Sequence, residues 1–198
     1  MFTGIVEEVG TVRQIERHGE TARIEISAEI VTKDTVEGDS IAVSGVCLTA
    51  VRVNADSFIA DVSKETLDKT TLGRINAGAK VNLERALTLQ TRLGGHLILG
   101  HVDACGKIVE LETAGDYSTI KISYPPEFSQ YLVYKGSIAV EGISLTIARL
   151  ADEWFEVAII PKTWAQTNLS YLKPQDSVNL EFDILAKYVE RILAVKKM

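Results

Sequence analysis

The sequence predicts an all-β protein made of two copies of one small antiparallel unit, with a single helix appended at the C-terminus. Three observations carry this. The stretch Ser40-Ile41-Ala42-Val43-Ser44-Gly45-Val46-Cys47-Leu48-Thr49 returns 97 positions later as Ser137-Ile138-Ala139-Val140-Glu141-Gly142-Ile143-Ser144-Leu145-Thr146, with seven of ten positions identical. Chance would leave less than about one identity, so the chain is an internal duplication. Short runs rich in Val, Ile, Thr and Leu alternate with turn residues through both copies, as in a small antiparallel barrel or sandwich. The apolar period changes only in the tail, where Leu185, Tyr188, Val189, Ile192 and Val195 fall at three- and four-residue steps, the pattern of an amphipathic helix.

The duplication extends beyond that cassette. Val81-Asn82-Leu83-Glu84 returns as Val178-Asn179-Leu180-Glu181, and Glu65-Thr66, Thr70 and Leu72 are answered by Lys162-Thr163, Thr167 and Leu169. Near the start the spacing is 96, so that Gly4-Ile5-Val6 and Gly10 match Gly100-His101-Val102 and Gly106. In the first unit strands are expected at residues 4–15, 21–27, 40–43, 47–53 and 57–62. Breaks fall at His18-Gly19, Glu37-Gly38-Asp39, Ser44-Gly45 and Asn54-Ala55-Asp56. A short helix or turn is expected at 65–72, and a strand over 81–86 closes the unit. The second unit repeats this plan from about 98 to 182, with Tyr124-Pro125-Pro126 as its principal break. Residues 87–97 form a linker in which Gly94-Gly95 permits a sharp turn. The division is therefore a first barrel with its linker (1–96), a second barrel (97–183) and a helix (184–198). An amphipathic stripe on so short a helix needs a surface, either its own barrel or another subunit.

Composition narrows the function classes. A formal net charge of −6 and a pI near 5.2 disfavour nucleic acid and anionic membranes as partners, and no basic stripe offsets them. Acids follow Met1-Phe2-Thr3-Gly4-Ile5-Val6 where a secretory signal needs positive charge, and no apolar run has the length of a membrane span. Cys47 and Cys105 stand at non-equivalent positions of the repeat and make no disulfide framework. A reduced, cytoplasmic protein is the expectation. Three histidines and two cysteines lie scattered without ligand spacing, so no metal is expected. The phosphate-cradling and nucleophile-elbow motifs are also missing, so no phosphate-bearing cofactor is expected.

Small hydroxyl and thiol groups beside glycine are the chemistry-bearing candidates. On a strand Cys47 and Thr49 share one face, as do Ser144 and Thr146, and Gly45 and Gly142 allow a flat ligand close to the backbone. Where the copies differ, chemistry changes: Ser44 becomes Glu141, Cys47 becomes Ser144, and Ile5 becomes His101, a group able to move protons near neutral pH. Each has a plainer reading too: threonines fill strands, free cysteines are mostly buried and inert, and a histidine can be structural. His18 sits in a polar turn and reads as surface.

The motifs Met1 to Glu8, Gly38-Asp39-Ser40, Gly45-Val46-Cys47-Leu48-Thr49, Lys64-Glu65-Thr66, Gly94-Gly95-His96, Gly100-His101-Val102 and Gly142-Ile143-Ser144-Leu145-Thr146 together resemble riboflavin synthase of the alpha-chain type, over the whole chain. The resemblance implies two tandem six-stranded antiparallel Greek-key barrels plus a C-terminal α-helix, assembled as a homotrimer, and it leaves open association with lumazine synthase. It implies a cofactor-independent transferase reaction, at a site between subunits, in which two molecules of 6,7-dimethyl-8-ribityllumazine exchange a four-carbon unit to give riboflavin and 5-amino-6-(ribitylamino)uracil. A non-catalytic lumazine- or flavin-binding protein on the same fold is the alternative.

Carried over by position, one lumazine meets Gly4, Ile5 and Val6, then Ile143, Ser144 and Leu145, and Ala158, Ile159, Ile160, Pro161, Lys162 and Thr163. The other meets Cys47, Leu48 and Thr49, then Asp61, Val62, Ser63, Lys64, Glu65 and Thr66, Gly100, His101 and Val102, with Lys135 from a partner. Cys47, His101, Ser144 and Thr146 are the candidates for proton transfer and nucleophilic assistance, with Ser40 contributing its hydroxyl. Glu141 stands where many family members carry Asp, and is kept as a site carboxylate.

Overall fold

The computed structural model describes residues 1–114 and 117–195. The expected alternation appears as strands β1 (Glu8–His18), β2 (Thr21–Ser27), β3 (Ser40–Val43), β4 (Val46–Val53), β5 (Ser57–Val62) and β6 (Lys80–Arg85), with helix α1 (Lys64–Lys69) before β6. The second copy gives β7 (Ala104–Ala114), β8 (Tyr117–Ser123), β9 (Ser137–Val140), β10 (Ile143–Leu150), β11 (Trp154–Ile159) and β12 (Ser177–Phe182), with α2 (Pro161–Gln166) in the place of α1. Each set closes into an antiparallel Greek-key barrel, the first in the order β1-β2-β5-β4-β3-β6 and the second in the matching order. Helix α3 (Ile184–Val195) follows, and residues 196–198 of the expected helical segment lie outside the described residues. No helix among the described residues is long and apolar enough to cross a membrane.

Period-2 patterning fills each barrel. Ala22, Ile24 and Ile26 of β2 point inward together, as do Ile120 and Ile122 of β8. Strands β3 and β4 join through Ser44-Gly45, both at positive φ, the tight two-residue turn whose twist suits a hairpin, and Glu141-Gly142 repeats it. The two turns meet where the barrels touch. A Cβ on Gly45 would lie 2.7 Å from the Gly142 nitrogen, so only glycine lets the backbones approach this closely.

Around those turns runs a buried polar seam with a pseudo-twofold. The Asn82 amide donates to the Glu141 carbonyl and the Asn179 amide to the Ser44 carbonyl, each at 2.9 Å. The Asn168 N–H donates to Asn82 Oδ1 at 2.7 Å and the Thr71 N–H to Asn179 Oδ1 at 2.8 Å. Beside the seam Phe2, Ala42, Ile98 and Ala139 pack as a third apolar cluster, and Phe2 is fully buried. Truncating such a phenylalanine costs about 3–5 kcal/mol.

The structure corrects the expected first strand. Residues 4–7 are not part of it, because Gly4 takes φ +79 and β1 begins at Glu8. Residues 2–7 instead cross to the other barrel. The Gly4 carbonyl accepts from the Ser144 N–H at 2.9 Å, and Val6 packs on the second barrel's core. The matching segment 98–103 crosses back: the Gly100 carbonyl accepts from the Cys47 N–H at 2.9 Å, and Val102 packs on the first core. Each barrel thus wears a strap from the other repeat.

Candidate active site

Two carboxylates at the ends of β6 and β12 hold the straps. Glu84 accepts the N–H and hydroxyl of Thr3, each at 2.7 Å, and the Gly4 N–H at 3.0 Å. Glu181 accepts from three successive amides, Leu99 at 2.7 Å, Gly100 at 2.9 Å and His101 at 3.0 Å. Burial pushes both carboxyls above the usual glutamate range, while the N–H groups they receive pull them back. In the sequence these acids stand only as part of the repeated Val-Asn-Leu-Glu. An acid in an otherwise apolar strand, present in both copies, was the available signal.

The strap at Gly100 completes an open cavity on the first barrel. Cys47, Glu65, Thr66, Gly100, His101 and Val102 all line this space of about 410 Å³. Asp61, Val62 and Ser63 line a second hollow of about 500 Å³ on the same barrel. The Ser63 hydroxyl caps α1 by accepting from the Thr66 N–H at 3.2 Å, which fixes where Lys64, Glu65 and Thr66 stand. Arg23 grips Asp61 at 2.7 Å and holds its carboxyl below the usual aspartate range, chiefly by hydrogen bonding. The matching surface on the second barrel carries Ser144 beside the Gly4 strap, with Ala158, Ile160, Pro161, Lys162 and Thr163 at the end of β11 and the start of α2.

One residue of that surface went unassigned in the sequence. His96 is buried, and its Nδ1 lies 2.7 Å from the Ser144 hydroxyl. Burial lowers its pKa, with Asp183 opposing, so the ring is neutral near pH 7 and can exchange a proton with the serine. The glycine before it was the readable clue. A Cβ on Gly95 would lie 2.1 Å from the Thr3 carbonyl and 2.6 Å from Ser144 Cβ, so the turn sits directly on the strap and the serine. The two surfaces therefore differ in chemistry: Cys47 shares a cavity with His101 on one, while on the other Ser144 stands at the place of Cys47, Ile5 at the place of His101, and His96 is bonded to Ser144.

Other candidates lie elsewhere. Leu48, Ile143, Leu145 and Ile159 turn their side chains into the barrel cores, as does Val62, so any ligand meets their backbone. Thr49 and Thr146 are exposed on the outer faces of β4 and β10, with Ser40 opposite Thr49 in the ladder. Ile5 is half exposed on its strap. Lys135 stands at φ +65 in the loop before β9, its ammonium 5.0 Å from the Tyr134 ring. Glu141 departs most from expectation. It is buried in the seam, where its carboxylate takes the Asn179 N–H at 2.7 Å and the Asn168 amide at 2.9 Å, so its oxygens are engaged by protein groups.

Comparison with known proteins places this geometry. The lumazine binding domain family matches residues 3–86 and again 99–183, one copy per barrel. A riboflavin synthase of Mycobacterium tuberculosis is 49% identical over 197 residues, covering 98% of each chain. One of Actinobacillus pleuropneumoniae is 46% identical over 196 residues, 99% of this chain and 91% of that one. Among solved structures, LumP complexed with riboflavin superposes with a TM-score of 0.87 at 24% identity, over 92% of this chain and 99% of that one. LumP complexed with 6,7-dimethyl-8-(1'-D-ribityl) lumazine gives 0.84 with the same identity and coverage, and at that identity the likeness is one of fold. With both copies of the domain in place and such identity along its length, the chain belongs to the riboflavin synthase family.

Proposed function

We propose that the chain is a riboflavin synthase, converting two molecules of 6,7-dimethyl-8-ribityllumazine into riboflavin and 5-amino-6-(ribitylamino)uracil. The observation that carries the reading is the unequal pair of equivalent surfaces. A duplicated barrel suits a reaction that joins two copies of one substrate, and the change of Cys47 to Ser144 and of Ile5 to His101 between the copies, with His96 bonded to Ser144, suits the opposed roles of donor and acceptor. The atoms of the two substrates balance those of the two products, so the four-carbon transfer calls for no external oxidant, reductant or cofactor. The lumazine C7 methyl is acidic because its carbanion delocalises into the ring, so a modest base such as His101 or a His96–Ser144 pair opens the reaction. Holding two rings face to face is worth on the order of 7–11 kcal/mol in well-oriented cases.

The site is read as lying between subunits, the first barrel of one against the second barrel of another, with Lys135 reaching across. Helix α3 supports assembly as a homotrimer. It leaves Leu185, Tyr188, Val189, Ile192 and Leu193 each more than half exposed, an apolar face that assembly would cover. The LumP likeness favours one other reading, a lumazine or flavin carrier without turnover. Incubating the purified protein with the lumazine alone and following absorbance and fluorescence separates them. Riboflavin and the uracil in equal amounts support the synthase; tight binding with no product makes the protein a carrier.

A further inference from the structure

The two straps differ in one fastening. In the first copy Glu7 is bound by Arg85 of its own barrel, whose Nε lies 3.0 Å from Glu7 Oε2. Ninety-seven positions after Arg85 the second copy carries Phe182, so the built-in cation is gone. The acid that matches Glu7 is Asp103, and its cation comes instead from α3, where Lys187 Nζ lies 2.6 Å from both carboxylate oxygens. This pair is mostly shielded, with side-chain exposures of 23% and 19%. Asp103 also accepts the Phe182 N–H at 2.9 Å, which pins the end of β12 next to Glu181. Helical spacing puts Lys187 on the side of α3 opposite Leu185, Val189 and Ile192, so its contact is separate from the exposed apolar face.

We propose that Lys187 is a positioning residue for the first-barrel pocket. Through Asp103 it fixes the strap that presents His101 beside Cys47, so the C-terminal helix sets the geometry of a cavity it does not line. The chain of contacts is short. Lys187 holds Asp103, Asp103 and Glu181 hold residues 98–103, and the Gly100 carbonyl of that strap is bonded to the Cys47 N–H. The consequence for turnover rests on the synthase reading; the consequence for the strap does not.

The test uses the full chain with Lys187→Met, which keeps the aliphatic stem, and Lys187→Arg, which keeps the charge. Loss of one charge-assisted contact should speed hydrogen exchange at the Leu99, Gly100 and His101 amides roughly five- to tenfold in Lys187→Met. It should lower kcat by about tenfold with KM and sedimentation unchanged, since small misplacement of an oriented group costs rate more than binding. Lys187→Arg should restore both. Asp103→Asn, which leaves the helix untouched, should reproduce the Lys187→Met pattern. Unchanged exchange at the three amides in Lys187→Met overturns the proposal. So does a loss of assembly in Lys187→Met with normal exchange and kcat in Asp103→Asn, because that assigns Lys187 to helix docking alone. If the unaltered protein turns over no lumazine, the activity reading falls, while amide exchange still decides the role of Lys187.

Discussion

Replacing Glu141 with Gln tests whether the seam between the barrels depends on a buried acid. Glu141 Oε1 accepts from the Asn179 N–H at 2.7 Å and Oε2 from the Asn168 amide at 2.9 Å. The Asn168 carbonyl oxygen is already taken by the Asn82 amide at 2.8 Å, so Asn168 cannot turn round to accept. A glutamine offers one oxygen, and its NH₂ would face the Asn168 NH₂. A protonated glutamic acid escapes this, because both its oxygens keep lone pairs to accept with, and the Ser44 hydroxyl that donates to the carboxylate can rotate to accept the acid's proton. The near-isosteric substitution should therefore destabilise by about 1–3 kcal/mol, the cost of an unpaired buried donor. In a chain of this size that lowers Tm by roughly 2–12 °C.

The same geometry has a pH signature. Burial is the main cause that raises the Glu141 pKa, opposed by the Asn179, Asn168 and Ser44 hydrogen bonds. With the folded pKa above the unfolded one, the folded state binds the extra proton. The stabilising contribution is complete below the ordinary glutamate range and is lost as pH rises through the folded value, at up to about 1.4 kcal/mol per pH unit. Glu141→Gln lacks that slope. Urea titrations read by Trp154 and Trp164 fluorescence at a series of pH values should show wild type ahead of the variant at low pH, with the gap closing as pH rises. A variant as stable as wild type at low pH, or a gap that widens with pH, would refute the argument.

Other expectations follow from the same contacts. Cys47→Ser should lower turnover while lumazine binding, measured by fluorescence titration, persists; undiminished turnover returns Cys47 to plain packing. Gly45→Ala should cost about 2 kcal/mol or more in thermal unfolding, since it adds a Cβ 2.7 Å from the Gly142 nitrogen at φ +81. Ending the chain at Phe182 should give monomers in sedimentation, and an intact assembly would deny α3 that role.

Much of this architecture could be read in the sequence because local rules set it. The 97-residue repeat, the alternation of β2 and β8, the Ser44-Gly45 turn and the changed period of α3 are short-range patterns, and each became the expected element. Strap residues such as Gly100, His101 and Val102 were placed with Cys47 and Thr66 by resemblance, and the structure gathers them around one cavity. The exchange of straps was not legible: residues 4–7 read as the start of β1, and only long-range packing against Ser144 sends them to the other barrel. The His96–Ser144 bond spans 48 positions and the Lys187–Asp103 pair 84, so no local pattern announces either. Glu141 shows the limit most clearly. By sequence it is an acid in a site motif; closure of two barrels around one seam buried it among asparagine donors, and a side chain's neighbours across such a seam exist only once the chain has folded.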